Sequence, residues 1–238
     1  MTVKFIGLGV GPGDPELISM KAWRLIEQAE VISYIANEAG QSQAKLIAKQ
    51  ALAGNNNRLI EIPVCVPMSI DRGLTNEIYD QASIAIGEQL KAGKNVLFLC
   101  EGDPLFFGSF GYLLERLQGQ HACQVVPGIS SVHAAASALQ RPLTLLKESF
   151  AVISGRHSDE QLAAALRQHD TVVIMKAGRS RKRILDVLAL TGRTEEANYL
   201  EYISRDNEKI ETDITRLDPD AGPYFSLFVV IRKERDRT

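Results

Sequence analysis

The stretch Val96-Leu97-Phe98-Leu99-Cys100-Glu101-Gly102-Asp103-Pro104-Leu105-Phe106-Phe107-Gly108-Ser109 decides the reading of this chain. Its first five residues are all apolar and read as a buried strand. Helix-compatible sequence follows at residues 112–117. A loop at the carboxyl end of a strand in an open α/β sheet is where such folds bind ligands. Gly102 lets a molecule approach the backbone closely. Pro104 keeps Asp103 out of the helical region, on an extended turn where its carboxylate can accept hydrogen bonds from hydroxyls or an ammonium group. An ordinary strand-to-helix turn with Asp-Pro punctuation uses the same residue types, although function often sits on such loops.

Working outward, β-rich runs alternate with helix-length segments. Residues 3–10, 31–34, 58–63 and 96–100 read as strands, with helices at 15–28, 43–51 and 74–91 between them. The alternation implies βαβ units and a largely parallel sheet. Asp14 can cap the first helix and Pro15 can take its first position, where a missing N–H does no harm. Further on, 151–154 and 171–176 read as strands and 160–168 and 181–190 as helices. Ser158 and Gln161 have the spacing of a capping box. The runs at 199–203, 209–214 and 225–232 have no helix between them, so they are expected to pair antiparallel at one end of a mixed sheet. The expected fold is therefore α/β, with two lobes divided as 1–120 and 121–238, the chain passing from one to the other between 119 and 149.

Gly7, Gly9, Gly11 and Gly13 follow the first strand. The spacing does not fit a dinucleotide fingerprint, because position 12 is Pro12 and position 14 is Asp14. No Lys-Ser/Thr pair follows, so a P-loop is also excluded. What remains is a tight turn that offers backbone groups and one carboxylate, Asp14. That residue is read equally well as a helix cap or as a site residue. A third strand-to-helix turn, Val125-Val126-Pro127-Gly128-Ile129-Ser130-Ser131, leads into a helix at 133–139. Ser130 and Ser131 can cap that helix, or point hydroxyls at a ligand near free N–H groups that favour an anion.

Lys176-Ala177-Gly178-Arg179-Ser180-Arg181-Lys182-Arg183 has five basic residues at a helix start. Positive charge there opposes the helix dipole at about 0.3–1 kcal/mol each. A solvated surface accounts for such a run, and so does an anionic partner whose carboxylates arginines grip in bidentate fashion.

Composition sets the outer bounds. The 238 residues carry a formal net charge of -2, with 45% hydrophobic and 24% charged residues. These values fit an ordinary globular protein and give no bulk charge for holding nucleic acid. No apolar run is long enough to span a bilayer, and the N-terminal run lacks a signal peptide's long apolar region. A cytoplasmic location without a membrane partner is expected. Three cysteines and four histidines are scattered without metal-ligand spacing, so no metal site is expected.

Together the loops resemble the tetrapyrrole methylase family, the S-adenosylmethionine-dependent enzymes of corrin and sirohaem synthesis. The resemblance is carried by Gly9-Val10-Gly11-Pro12-Gly13-Asp14-Pro15-Glu16-Leu17, by Glu101-Gly102-Asp103-Pro104 and by Val126-Pro127-Gly128-Ile129-Ser130-Ser131, in the family's order and approximate spacing. It extends over essentially the whole chain. Residues 101–109 with Tyr112-Leu113, and the segment 61–93, look most like the members that methylate precorrin-2 at C-20 to give precorrin-3A. A sibling acting on cobalt-precorrin-2, or at another ring carbon, is the nearest alternative. Readings from other classes are a nicotinamide-dependent oxidoreductase, which the glycine spacing opposes, and a non-catalytic metabolite sensor.

The resemblance implies two α/β lobes with a cleft between them, and a homodimer. It implies S-adenosylmethionine as methyl donor, S-adenosylhomocysteine as product and no required metal. Glu101, Gly102, Asp103, Phe106, Ser130 and Ser131 would bind the donor, joined by Met175, Ile203 and Ser226. Gly11, Pro12 and Gly13 would face the tetrapyrrole, with Arg179 and Arg181 for its carboxylates and Asp14 as a catalytic residue that accepts a proton or steers the ring nitrogens. Two residues depart from the family's pattern: Phe107 stands where tyrosine is common, and Ile203 is bulkier than usual.

Overall fold

A computed structural model describes residues 2–66 and 72–234. Residues 67–71, inside the segment 61–93 that enters the resemblance, lie outside the described residues. The chain forms two compact units, Met1–Ser131 and Val132–Thr238. The division expected at 120/121 falls later because strand β5 (Ala122–Val126) pairs along its length with β1 (Lys4–Gly9) of the first sheet.

The first unit is an all-parallel five-stranded sheet in the order β3-β2-β4-β1-β5, where β2 is Val31–Ala36, β3 is Ile60–Cys65 and β4 is Val96–Cys100. Successive side chains of a strand point to opposite faces, and here both faces are covered. Ile6 and Leu8, with Leu97 and Leu99, pack against α1 (Met20–Glu27), α2 (Gln43–Ile47) and α3 (Lys49–Ala53). Phe5, Val96 and Phe98 pack against α4 (Arg72–Lys91) and α5 (Phe110–Leu117) on the other face. This is why β4 is apolar throughout.

Two expected helices are divided. Asp14 caps only a 3₁₀ turn, Pro15–Leu17; Ile18 then turns extended and buried, and Ser19 caps α1 by accepting from the Ala22 amide. The helix expected over 43–51 breaks at Ala48 into α2 and α3. The third strand runs to Cys65 and includes Pro63, which an edge strand tolerates because the missing N–H need not enter a ladder.

The second unit opens with α6 (Ser131–Leu139), whose first residue closes the first unit. Its sheet has the order β6-β7-β10-β8-β9, with β6 Phe150–Ser154, β7 Thr171–Met175, β8 Ala197–Glu201, β9 Lys209–Glu211 and β10 Ser226–Ile231. Only β6 and β7 run parallel; β10 is antiparallel to both β7 and β8, and β8 to β9, as the helix-free C-terminal runs imply. Helices α7 (Asp159–Gln168) and α8 (Arg181–Leu190) cover one face, burying Leu162, Leu166, Ile184 and Leu188 against Val172, Ile174 and Phe228. The Ser158–Gln161 capping box is present at α7. Strand β9 stops at Glu211 because Asp213 caps a 3₁₀ turn, Ile214–Arg216.

Candidate active site

Strands β4, β1 and β5 are neighbours, so the loops that follow them leave the same edge of the first sheet. From β1 the chain crosses to β2 on one side; from β4 it crosses to β5 on the other. The gap between β1 and β4 is thus the topological switch point, where open α/β sheets bind ligands. The two loops are tied there. The Val10 amide donates to the Cys100 carbonyl at 2.8 Å and the Gly102 amide to the Gly11 carbonyl at 2.8 Å.

Three glycines bring the loops to backbone contact. A β carbon built on Gly128 would stand 2.1 Å from the Gly102 carbonyl oxygen and 2.8 Å from Gly9 Cα. One built on Gly9 would stand 2.6 Å from that same oxygen. Gly102 has φ +63°, a left-handed conformation that favours glycine. Asp103 completes the joint: one carboxylate oxygen accepts from the Gly128 amide at 3.1 Å, the other from the Leu105 amide at 2.9 Å. Each oxygen keeps a second lone-pair direction for a further donor. Asp103 is therefore a clamp between loops, a role its sequence position did not disclose.

Other expected residues of this unit lie on these same loops. Asp14 accepts from the Glu16 amide at 2.8 Å, as a cap. Pro12 and Ser130 are buried, and Glu101 and Phe106 are half-buried. Phe107 stacks edge-on against Phe106, is 41% exposed and takes φ +55°. For a bulky side chain that conformation is an outlier, of the kind that collects at ligand sites. The Cys100 thiol beneath the loop is pushed well above the usual thiol range, first by burial and then by the charges of Glu101 and Asp103. It stays neutral.

In the second unit the antiparallel insertion of β10 gathers the expected residues at one sheet edge. Met175 ends β7, Ile203 follows the end of β8, and Ser226 begins β10 between them. Ile203 and Ser226 are buried and Met175 is half-buried. The following or flanking residues, Lys176, Tyr202 and Ser204, all have positive φ, between +51° and +60°. Lys176, inside the basic stretch but not singled out from sequence, is half-buried; burial and the nearby Arg156 charge hold its ammonium below the usual lysine range.

The basic stretch separates into distinct roles. Arg179 is exposed and makes no hydrogen bond or ion pair among the described residues. Arg183 ties the start of α8 to Asp159 and to the Gly155 and His157 carbonyls. Lys182 pairs with Asp186 on the helix surface. Arg181, expected at substrate carboxylates, is turned inward and only 8% exposed, with Glu201 at 3.6 Å and the Asp220 carbonyl at 2.6 Å. Its guanidinium is thus committed to internal partners. Among the described residues no group of three or more histidine, cysteine or acidic side chains could hold a metal ion.

The family model for Tetrapyrrole (Corrin/Porphyrin) Methylases matches residues 4–218. The chain is 32% identical over 235 residues to a precorrin-2 C(20)-methyltransferase of Sinorhizobium sp, covering 95% of this chain and 94% of that one. It is 30% identical to the cobalt-precorrin-2 C(20)-methyltransferase of Salmonella typhimurium, covering 97% of each. Among solved structures it is similar to a uroporphyrin-III C-methyl transferase of Thermus thermophilus complexed with S-adenyl homocysteine, with TM-score 0.67, 22% identity and coverage of 96% and 97%. The chain belongs to the tetrapyrrole (corrin/porphyrin) methylase family.

Proposed function

We propose that this chain is an S-adenosylmethionine-dependent C-methyltransferase that methylates C-20 of precorrin-2 to give precorrin-3A in corrin synthesis. The observation that carries the reading is the three-loop joint at Gly9, Gly102 and Gly128, built at the switch point of a chain that aligns over 95% of its length with a relative named precorrin-2 C(20)-methyltransferase. The joint suits a donor with a cationic sulfonium, hydroxyls and an adenine. Asp103 and Glu101 offer acid, Gly102 offers open backbone, and Phe106 with Phe107 offers apolar face.

When bound, S-adenosylmethionine supplies a methyl group on a sulfonium that carries its own leaving group. The protein's task is then to bind and orient, which alone can lower the barrier by several kcal/mol. On this reading Glu101, Gly102, Asp103, Phe106, Ser130 and Ser131 of the first unit bind the donor. Met175, Ile203 and Ser226 of the second unit bind it as well. Gly11, Pro12 and Gly13 meet the tetrapyrrole, Arg179 pairs with its carboxylates, and Asp14 accepts a proton or steers the ring nitrogens. The enzyme works as a cytoplasmic homodimer, without nucleic acid, membrane or a metal of its own. Among the described residues no helix is long and apolar enough to cross a membrane.

A second reading, the cobalt-containing form of the same substrate, is favoured by the full-length Salmonella typhimurium relative. One assay covers both. The purified protein is incubated anaerobically with S-adenosylmethionine and precorrin-2, with and without cobalt, and the product is read by mass spectrometry and NMR. One added methyl at C-20 is expected, and the faster substrate names the pathway branch. Donor binding without methylation of either form would overturn the substrate assignment.

A further inference from the structure

Arg181 is a buried cation whose every observed partner is internal, and those partners converge on one place. Its Nε donates to the Asp220 carbonyl at 2.6 Å, its Nη1 stands 3.6 Å from Glu201 Oε1, and its guanidinium lies over the Tyr199 ring at 5.5 Å. Glu201 is the last residue of β8, just before the positive-φ turn that bears Ile203. Asp220 opens the segment leading to Ser226. That segment is pressed onto the end of β7 as well: the Gly222 amide donates to the Gly178 carbonyl at 2.9 Å, and a β carbon built on Gly178 would stand 2.0 Å from the Pro223 carbonyl oxygen. Pro223 in turn accepts from the Ser226 hydroxyl at 2.7 Å, while the Ala177 amide donates to the Ser226 carbonyl and the Tyr202 amide to the Phe225 carbonyl.

We infer that Arg181 is a positioning residue of the second unit's methyl-donor contacts, a buried pin that fixes the 220–225 segment and the Tyr202–Ser204 turn so that Met175, Ile203 and Ser226 share one sheet edge. The inference rests on the donor role assigned to those three residues above. It replaces a substrate contact with a scaffold role. A buried ion pair is poor evidence for added stability, since an apolar or neutral pair in its place is often as stable. What the forked guanidinium supplies here is geometry: two directions fixed at once, which a lysine's single ammonium cannot reproduce.

The test uses S-adenosylhomocysteine binding by calorimetry together with thermal unfolding. The double variant Arg181→Met with Glu201→Gln removes both charges, so no buried charge is left unpaired and the fold is retained. Its melting temperature is expected close to wild type, while its Kd for S-adenosylhomocysteine weakens by about tenfold or more, because small misplacements at a binding constellation have large effects. Arg181→Lys, which keeps the charge and loses the fork, is read in the same way should the double variant unfold. Wild-type Kd in the folded variant would overturn the inference alone. Failure of the wild-type protein to bind S-adenosylhomocysteine would instead overturn the proposed function, and this inference with it.

Discussion

Replacing Gly128 by alanine should disable the donor site through a single methyl group. The new carbon would stand 2.1 Å from the Gly102 carbonyl oxygen and 2.8 Å from Gly9 Cα. Both neighbours are backbone, so neither can rotate away. A carbon and a carbonyl oxygen rest at about 3.3 Å, so the β4 and β5 loops must part by about 1 Å. That displacement also stretches the Gly128 amide from Asp103, now at 3.1 Å. Overpacking of this kind costs about 1–3 kcal/mol, which for a chain of this size lowers the melting temperature by about 2–12 °C. A 1 Å misplacement within a catalytic constellation costs about 100-fold in rate. The assay pairs thermal unfolding with calorimetric titration of S-adenosylhomocysteine. The control is Gly111→Ala on α5, where the added carbon meets nothing within 4 Å and helix propensity improves. The control should bind normally and melt no lower than wild type. A Gly128→Ala protein that binds and melts like wild type would refute the three-loop joint.

Asp103→Asn should cost about 1.5–3 kcal/mol in urea unfolding, because one amide oxygen cannot serve both the Gly128 and Leu105 amides with charge-assisted bonds; unchanged stability would show that the clamp contributes nothing. The Asp170 carboxyl is held below the usual aspartate range, chiefly by the Ser149 amide and hydroxyl, with Arg232 adding to it against a small burial effect. Its folded pKa is below its unfolded one, so its contribution is complete above the unfolded value near 3.8 and disappears as pH falls through the folded value. Asp170→Asn should therefore flatten the melting temperature's decline in acid, and an equally steep decline would contradict this. Leu146 is 86% exposed with φ +47°. Leu146→Gly removes a conformational cost of about 1–2 kcal/mol against a smaller entropic loss, so chemical denaturation should find it as stable as wild type or slightly more so.

Much of the fold was legible because its signals are local. The β4 run is apolar on every residue since both faces of that strand are covered, and the helix-free C-terminal runs pair antiparallel as read. The breaks at Ile18 and Ala48 were hidden because the helical pattern continues through them; tertiary burial of Ile18 and the second cap at Ser19 decide the first. The loops of the site stood out by their Gly, Pro and Asp content. What they do to one another did not. The Asp103–Gly128 bond joins residues 25 apart in sequence, and contact of that range leaves no periodic mark. Arg181 misled for a related reason: within a basic run, nothing in residue type separates the arginine that turns in toward Glu201 from Arg179, which stays outside.

The order of strands in the second sheet also bears on how the protein is made. Strand β10 follows the other described strands of its sheet yet occupies the centre, paired with β7 on one side and β8 on the other. During synthesis the first sheet has all five of its strands once Val126 has left the ribosome. The second waits with two separate fragments until the segment from Ser226 to Ile231 emerges and slots between them. Domains generally fold as units from the N-terminus as they are made, so stepwise maturation is the expectation, with the late step completing the edge that bears Met175, Ile203 and Ser226. A protease cut just before Ser226 would split this sheet down the middle, because the strand it severs is the central one.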